Sequence, residues 1–217
     1  MKTAEQTLID QMGFSEREIA RRLHLLNFTD EDRHYIKHVE KRIVGALSNL
    51  VEDYYKFQLA DPVIAQVIGD VDTLTRLKVY MHQYIISIFS GQYDEAYVNT
   101  RLRIGKVHKR LDVRPKLYMK AHAELQRLLD LEVDSFLESE EAVSVKRAIH
   151  KILLFDAELV FDAYVDAYMT EMQSATMEVE KSASKVGIKV DTMFNRLHER
   201  SQRDSLTGLH NRRALYD

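Results

Sequence analysis

Apolar residues recur along this chain at steps of three and four, and no stretch alternates with a period of two for long enough to make a strand. The pattern predicts helices throughout. Ser15, Glu16, Arg17 and Glu18 have the form of a capping box and predict a short helix through about Leu26. Thr29 followed by Asp30, Glu31 and Asp32 predicts the next start, because acids in a first turn face the positive end of the helix dipole. Ile43, Leu47, Leu50, Val51, Tyr54 and Leu59 then form one inward stripe. Asp61-Pro62 interrupts it, since the residue before a proline disfavours the helical region. Pro62 opens a short helix with Val63, Val67 and Ile68 inward. Asp72-Thr73 predicts a cap for a helix running to Ser90, stopped by Gly91. Further helices are predicted over about 94–111 and 115–137, and a last one from near Glu140.

The last predicted helix changes character part-way. Leu153, Leu154, Ala157, Val160, Phe161, Tyr164 and Val165 cover more than one narrow stripe, as in a helix packed on two sides of a bundle. From Met169 the stripe narrows to Met172, Thr176, Val179, Ala183, Val186, Val190, Met193 and Leu197. Those steps alternate between three and four, the seam of a parallel coiled coil, although Thr, Ala and Met make it a weak one. The expectation is a helical linker that pairs two copies of the chain. Ser182, Ala183, Ser184 and Gly187 soften it locally.

Composition narrows the class. Seven glycines and two prolines in 217 residues argue against a β sandwich, and 45% hydrophobic with 30% charged residues fits a water-facing helical domain. A net charge of -3 offers no basic surface for nucleic acid. The absence of cysteine excludes disulfides, thiolate metal sites and cysteine nucleophiles. No apolar run approaches the roughly 20 residues needed to span a bilayer, and no signal-peptide core stands at the N-terminus. The expectation is a cytoplasmic protein without membrane or nucleic-acid partners.

The candidate chemistry centres on His108, which shares a predicted helical face with Tyr97, Arg101, Ile104 and Leu111. Gly105, three residues earlier, is expected to leave room for a flat ring beside the helix. Imidazole is a normal ligand for haem iron, yet a lone histidine on an apolar face is more often a hydrogen-bonded core residue. His34 and His38 also share a face, but no third ligand completes a zinc site.

The surroundings of His108 carry a resemblance. Arg101-Leu102-Arg103-Ile104-Gly105-Lys106-Val107-His108, then Pro115-Lys116-Leu117-Tyr118-Met119-Lys120-Ala121, resembles the proximal region of the globin-coupled sensors. Asp53-Tyr54-Tyr55-Lys56-Phe57-Gln58-Leu59 before Asp61-Pro62 resembles the F-Y-x-x-L element of the same family. The segment from Thr73 to Gly91 resembles its distal helix. Asp112, Leu117 and Tyr80 depart from the Gly, Trp and Thr or Ser common in relatives. The resemblance implies an all-α, globin-like sensor domain over 28–170 that holds haem b. An extra N-terminal helix precedes it in 1–27, and the coiled-coil linker follows over 171–203. It implies His108 as the iron ligand, Tyr55 rather than Tyr54 as hydrogen-bond donor to O2, and Leu77, Tyr80, Ile104 and Tyr97 as further contacts of the cofactor. His82 stands as a weaker rival ligand.

A second resemblance lies in 204–217. The run Asp204-Ser205-Leu206-Thr207-Gly208-Leu209-His210-Asn211-Arg212-Arg213-Ala214-Leu215 resembles the opening of a GGDEF domain, the fold that makes cyclic di-GMP from GTP. Together they imply a sensor of O2, with CO and NO as further ligands, that regulates a diguanylate cyclase through a homodimer. GTP and Mg2+ belong to that output domain, and these 217 residues are expected to have no catalytic activity of their own. Two other readings stay open at this point. One is a haem-free, globin-like dimerisation module with another trigger, and the other is an independent haem enzyme.

Overall fold

A computed structural model describes residues 7–201, and every regular element among them is an α-helix. The GGDEF-like run lies outside the described residues. The helices are α1 (Leu8–Gln11), α2 (Glu16–Leu25), α3 (Asp30–Leu59), α4 (Pro62–Ile68), α5 (Val71–Phe89), α6 (Glu95–Arg110), α7 (Pro115–Asp134) and α8 (Ser139–Ser201). Two compact units divide the chain, Met1–Ala167 and Tyr168–Asp217.

The N-terminal extension contains two helices rather than the one expected. Thr7 and Asp10 form a reciprocal capping box around α1, which is four residues long and packs on α6. Ser15 caps α2 by accepting from the Glu18 amide at 3.3 Å. The Glu18 carboxylate does not complete a box there, because Arg22 takes it at 3.0 Å. Arg22 also pairs with Asp162 and so ties α2 to α8.

Thr29 and Asp32 make the full capping box that opens α3. Asp32 also receives Lys151 of α8 at 2.7 Å. The inward face of α3 differs at its end from the sequence stripe. Ile43, Leu47, Leu50, Val51, Tyr54 and Tyr55 are buried, but the next buried residue is Gln58, and Leu59 is 39% exposed. In α4 only Ile68 is buried, while Val63 and Val67 face out. The N-cap of α5 is Asp70, whose Oδ1 accepts from the Thr73 amide at 2.7 Å. The cap therefore stands two residues before the Asp72 suggested by sequence. Gly91 ends that segment at φ +73, a backbone region that L side chains rarely adopt.

Within the first unit, α8 supplies the centre of the core through Ile149, Ile152, Leu153, Phe155 and Leu159, all completely buried. In the second unit the seam residues Met172, Val179, Val186, Val190, Met193 and Leu197 are more than half exposed. No helix among the described residues is long and apolar enough to cross a membrane.

Candidate functional site

His108 sits in the last turn of α6. Its Nδ1 lies 2.8 Å from the Ile104 carbonyl, one turn back, an acceptor that requires Nδ1 to carry the proton. The lone pair is then on Nε2. Burial holds the imidazole pKa below its ordinary value, partly offset by the Ile104 carbonyl, so the ring is neutral at pH 7. A neutral imidazole with its other nitrogen bonded to a backbone carbonyl is the donor that haem iron takes. The Tyr118 ring meets His108 edge-on at 5.6 Å and in turn stacks on His122 at 5.7 Å. The corner after His108 is fixed by Asp112, which adopts φ +53, and by the Tyr164 hydroxyl, which donates to the Val113 carbonyl at 2.5 Å. Asp112 thus keeps the left-handed conformation that a glycine would take at that joint.

Gly105 has a different role from the one its spacing suggested. A Cβ built on it would lie 2.6 Å from the Ala163 Cβ and 2.7 Å from the Val160 carbonyl oxygen. Its bare face therefore presses on α8 rather than on a ring, and the absence of a side chain lets the two backbones touch. Both obstacles are backbone or Cβ atoms that cannot rotate away. Gly105→Ala is expected to destabilise the fold by about 1–3 kcal/mol through overpacking, measured by urea unfolding.

Tyr54 and Tyr55 are both buried on α3, their rings edge to face at 5.2 Å. Burial pushes both phenols well above their ordinary pKa, so each is a neutral donor at any physiological pH. Tyr54 feels the charge of Glu124 and couples to Tyr118, which places it toward α7. Leu77 is partly buried against the core. Tyr80 is 63% exposed and stands apart from that core. The Ile104 side chain packs with Tyr118, Ala157, Val160 and Tyr164. Leu111 is more than half exposed, off the buried face shared by Tyr97 and Arg101.

Tyr97 belongs to a buried polar cluster that sequence reading did not assemble. The Arg101 guanidinium lies over the Tyr97 ring at 3.6 Å and the Tyr84 ring at 4.6 Å. Its Nε is 3.1 Å from Asp156 Oδ1, an ion-pair separation without hydrogen-bond alignment. The Tyr84 hydroxyl donates to Asp156 Oδ2 at 2.8 Å. Arg101 and Asp156 are both completely buried. Burial works against the charge on Arg101, but the Asp156 carboxylate outweighs it and holds the guanidinium above its ordinary pKa. One sequence signal pointed here: Asp156 is an acid inside the apolar run Leu153, Leu154, Phe155, Ala157.

His122 makes the site sensitive to acid. Burial lowers its pKa from 6.5, against smaller upward effects of Asp156 and a hydrogen bond to the Leu153 backbone. The folded state therefore prefers neutral His122, and the unfolded chain binds a proton first as pH falls. Stability from this group is complete above about pH 7.5 and is lost as pH drops through 6.5 toward the folded value. Thermal midpoints measured between pH 8 and 5 are expected to fall, with a shallower slope in His122→Phe.

A family model described as Protoglobin matches residues 15–170. The chain belongs to the protoglobin family. Among curated proteins, this protoglobin-family chain is similar to the heme-based aerotactic transducer HemAT of Halobacterium salinarum, 26% identical over 209 residues. That match covers 90% of the chain and 42% of the transducer, so the chain spans less than half of the relative's length. Among solved structures it is similar to the globin domain of the Geobacter sulfurreducens globin-coupled sensor. The TM-score is 0.63 at 22% identity, over 69% of this chain and 97% of that one. The likeness shows a globin fold, as the sequence resemblance implied.

Proposed function

We propose that this protoglobin-family chain is a haem-based gas sensor, with O2 as the ligand and CO and NO as further ligands. The observation that carries the reading is His108, partly buried, neutral, and fixed as the Nδ1–H tautomer by the Ile104 carbonyl. Bound haem supplies an iron that takes up diatomic gases reversibly. The chain's own residues do the rest. His108 holds the iron, and Tyr118 restrains the imidazole from its edge. Tyr55 offers a buried phenol as hydrogen-bond donor, which favours O2 over the less polar CO. Leu77, Tyr80, Ile104 and Tyr97 remain assigned to the cofactor's surroundings under this reading. The resemblance implies haem of the b type, and a chain without cysteine has no thiol to attach it covalently.

The output proposed is a diguanylate cyclase making cyclic di-GMP from GTP with Mg2+, supported by the GGDEF-like run at 204–217. A homodimer formed through the exposed stripe of α8 carries the signal, because such a cyclase must bring two active sites together. A ligand shifts that dimer only by its differential affinity for two states. The test has two parts. Purified protein reduced and exposed to O2 and then CO is expected to show a Soret band that moves with each gas. A longer chain carrying the complete output domain is expected to convert GTP at a rate that changes with O2. A gas-responsive protein without GTP turnover would redirect the output to another class, such as the aerotactic signalling named for the Halobacterium relative.

A further inference from the structure

The inward face of α3 ends on a polar side chain with unmet bonding capacity. Gln58 is 3% exposed, and its Nε2 has no hydrogen-bond partner among the described residues. Its backbone carbonyl is engaged by the Asp61 amide at 3.2 Å, so the unmet group is the side-chain Nε2. A buried amide with idle donors is a cost that leucine at the same place would avoid. Gln58 lies three residues beyond Tyr55 and four beyond Tyr54, so the three share one helical face.

Resting on the gas-sensor reading above, we infer that Gln58 is a second hydrogen-bond donor to the bound gas, a specificity-determining residue acting beside Tyr55. An amide N–H donates to the partial negative charge on O2 and has little to offer CO. Unlike a histidine donor it does not titrate, so its contribution is constant between about pH 6 and pH 9. The stability lost by burying idle donors in the ligand-free protein is the counterpart of that selectivity.

Gln58→Leu tests this in two forms of the protein. Without haem, its thermal midpoint is expected to rise by a few degrees, because the idle donors are gone. With ferrous haem, O2 dissociation is expected to quicken about tenfold while CO dissociation changes less than twofold. The C–O stretching band of the CO complex should move to higher wavenumber, reporting the lost donor directly. An unchanged O2 rate and an unchanged C–O band would overturn the inference and leave Gln58 as a packing residue. Gln58→Met is similar in length and equally unable to donate, and it should give the same changes in O2 dissociation and in the C–O band. A midpoint lowered in the haem-free form by both variants would also overturn the inference, since the amide would then have a partner inside the protein. If the parent takes up no haem, the gas-sensor reading itself fails. If the parent takes up haem and the variants behave like it, only the role of Gln58 fails.

Discussion

His108→Ala is expected to abolish stable haem uptake and, with it, every gas-dependent change in the absorption spectrum. The expectation follows from what the residue supplies. Nδ1 is committed to the Ile104 carbonyl at 2.8 Å, so Nε2 is the ligating atom and no rotation substitutes the other nitrogen. Removing a partner that merely orients a ligating histidine typically weakens metal binding 10- to 100-fold, so removing the histidine itself should exceed about 100-fold. The other histidines nearby are poor replacements. His122 is itself buried and stacked on the Tyr118 ring, and His82 stands on a different helix, α5. Free imidazole added to the alanine variant should restore a Soret band by entering the space the side chain left. Retention of the parent spectrum by His108→Ala would remove His108 as the iron ligand and turn attention to His82.

The second large effect is expected at Asp156. Replacing it with alanine leaves the Arg101 guanidinium completely buried and without its counter-ion. Breaking a buried pair from one side costs about 3–5 kcal/mol, a large share of the roughly 5–15 kcal/mol that holds a domain together. The Tyr84 hydroxyl would lose its acceptor as well. The paired replacement Arg101→Met with Asp156→Leu should recover most of that loss, because two apolar side chains need no partner. Urea unfolding of the single and double variants measures the coupling directly. Additive losses, with no recovery in the double variant, would show that the ion pair contributes little beyond packing. The cluster also bears on the site. Arg101 is two helical turns before His108 on α6, and Tyr84 is one turn after Tyr80 on α5. Both proposed walls of the haem site are thus tied to α8 through one carboxylate.

Sequence and structure agree most closely where the governing physics is local. The all-α architecture, the start of α3 after Thr29, the break at Asp61-Pro62 and the stop at Gly91 all depend on residues within a turn or two of each other. The place of His108 on a helix was legible for the same reason, because its surrounding pattern is contiguous. The cap of α5 slipped because Asp70 and Asp72 are equally good caps by residue type, and only the backbone decides between them.

What the chain alone determined is therefore the main helices, most of the buried face of α3, and an imidazole in the last turn of α6. Tertiary structure decided the rest. It turned Gly105 toward Ala163 and Val160, brought Asp156 to Arg101 and Tyr84, and exchanged Gln58 for Leu59 on the inner face of α3. The physical reason is the same in each case. Helical periodicity constrains direction only to within about the 100° between neighbouring residues. The choice between adjacent positions, and the partner each meets, is made by packing against helices far away in the sequence.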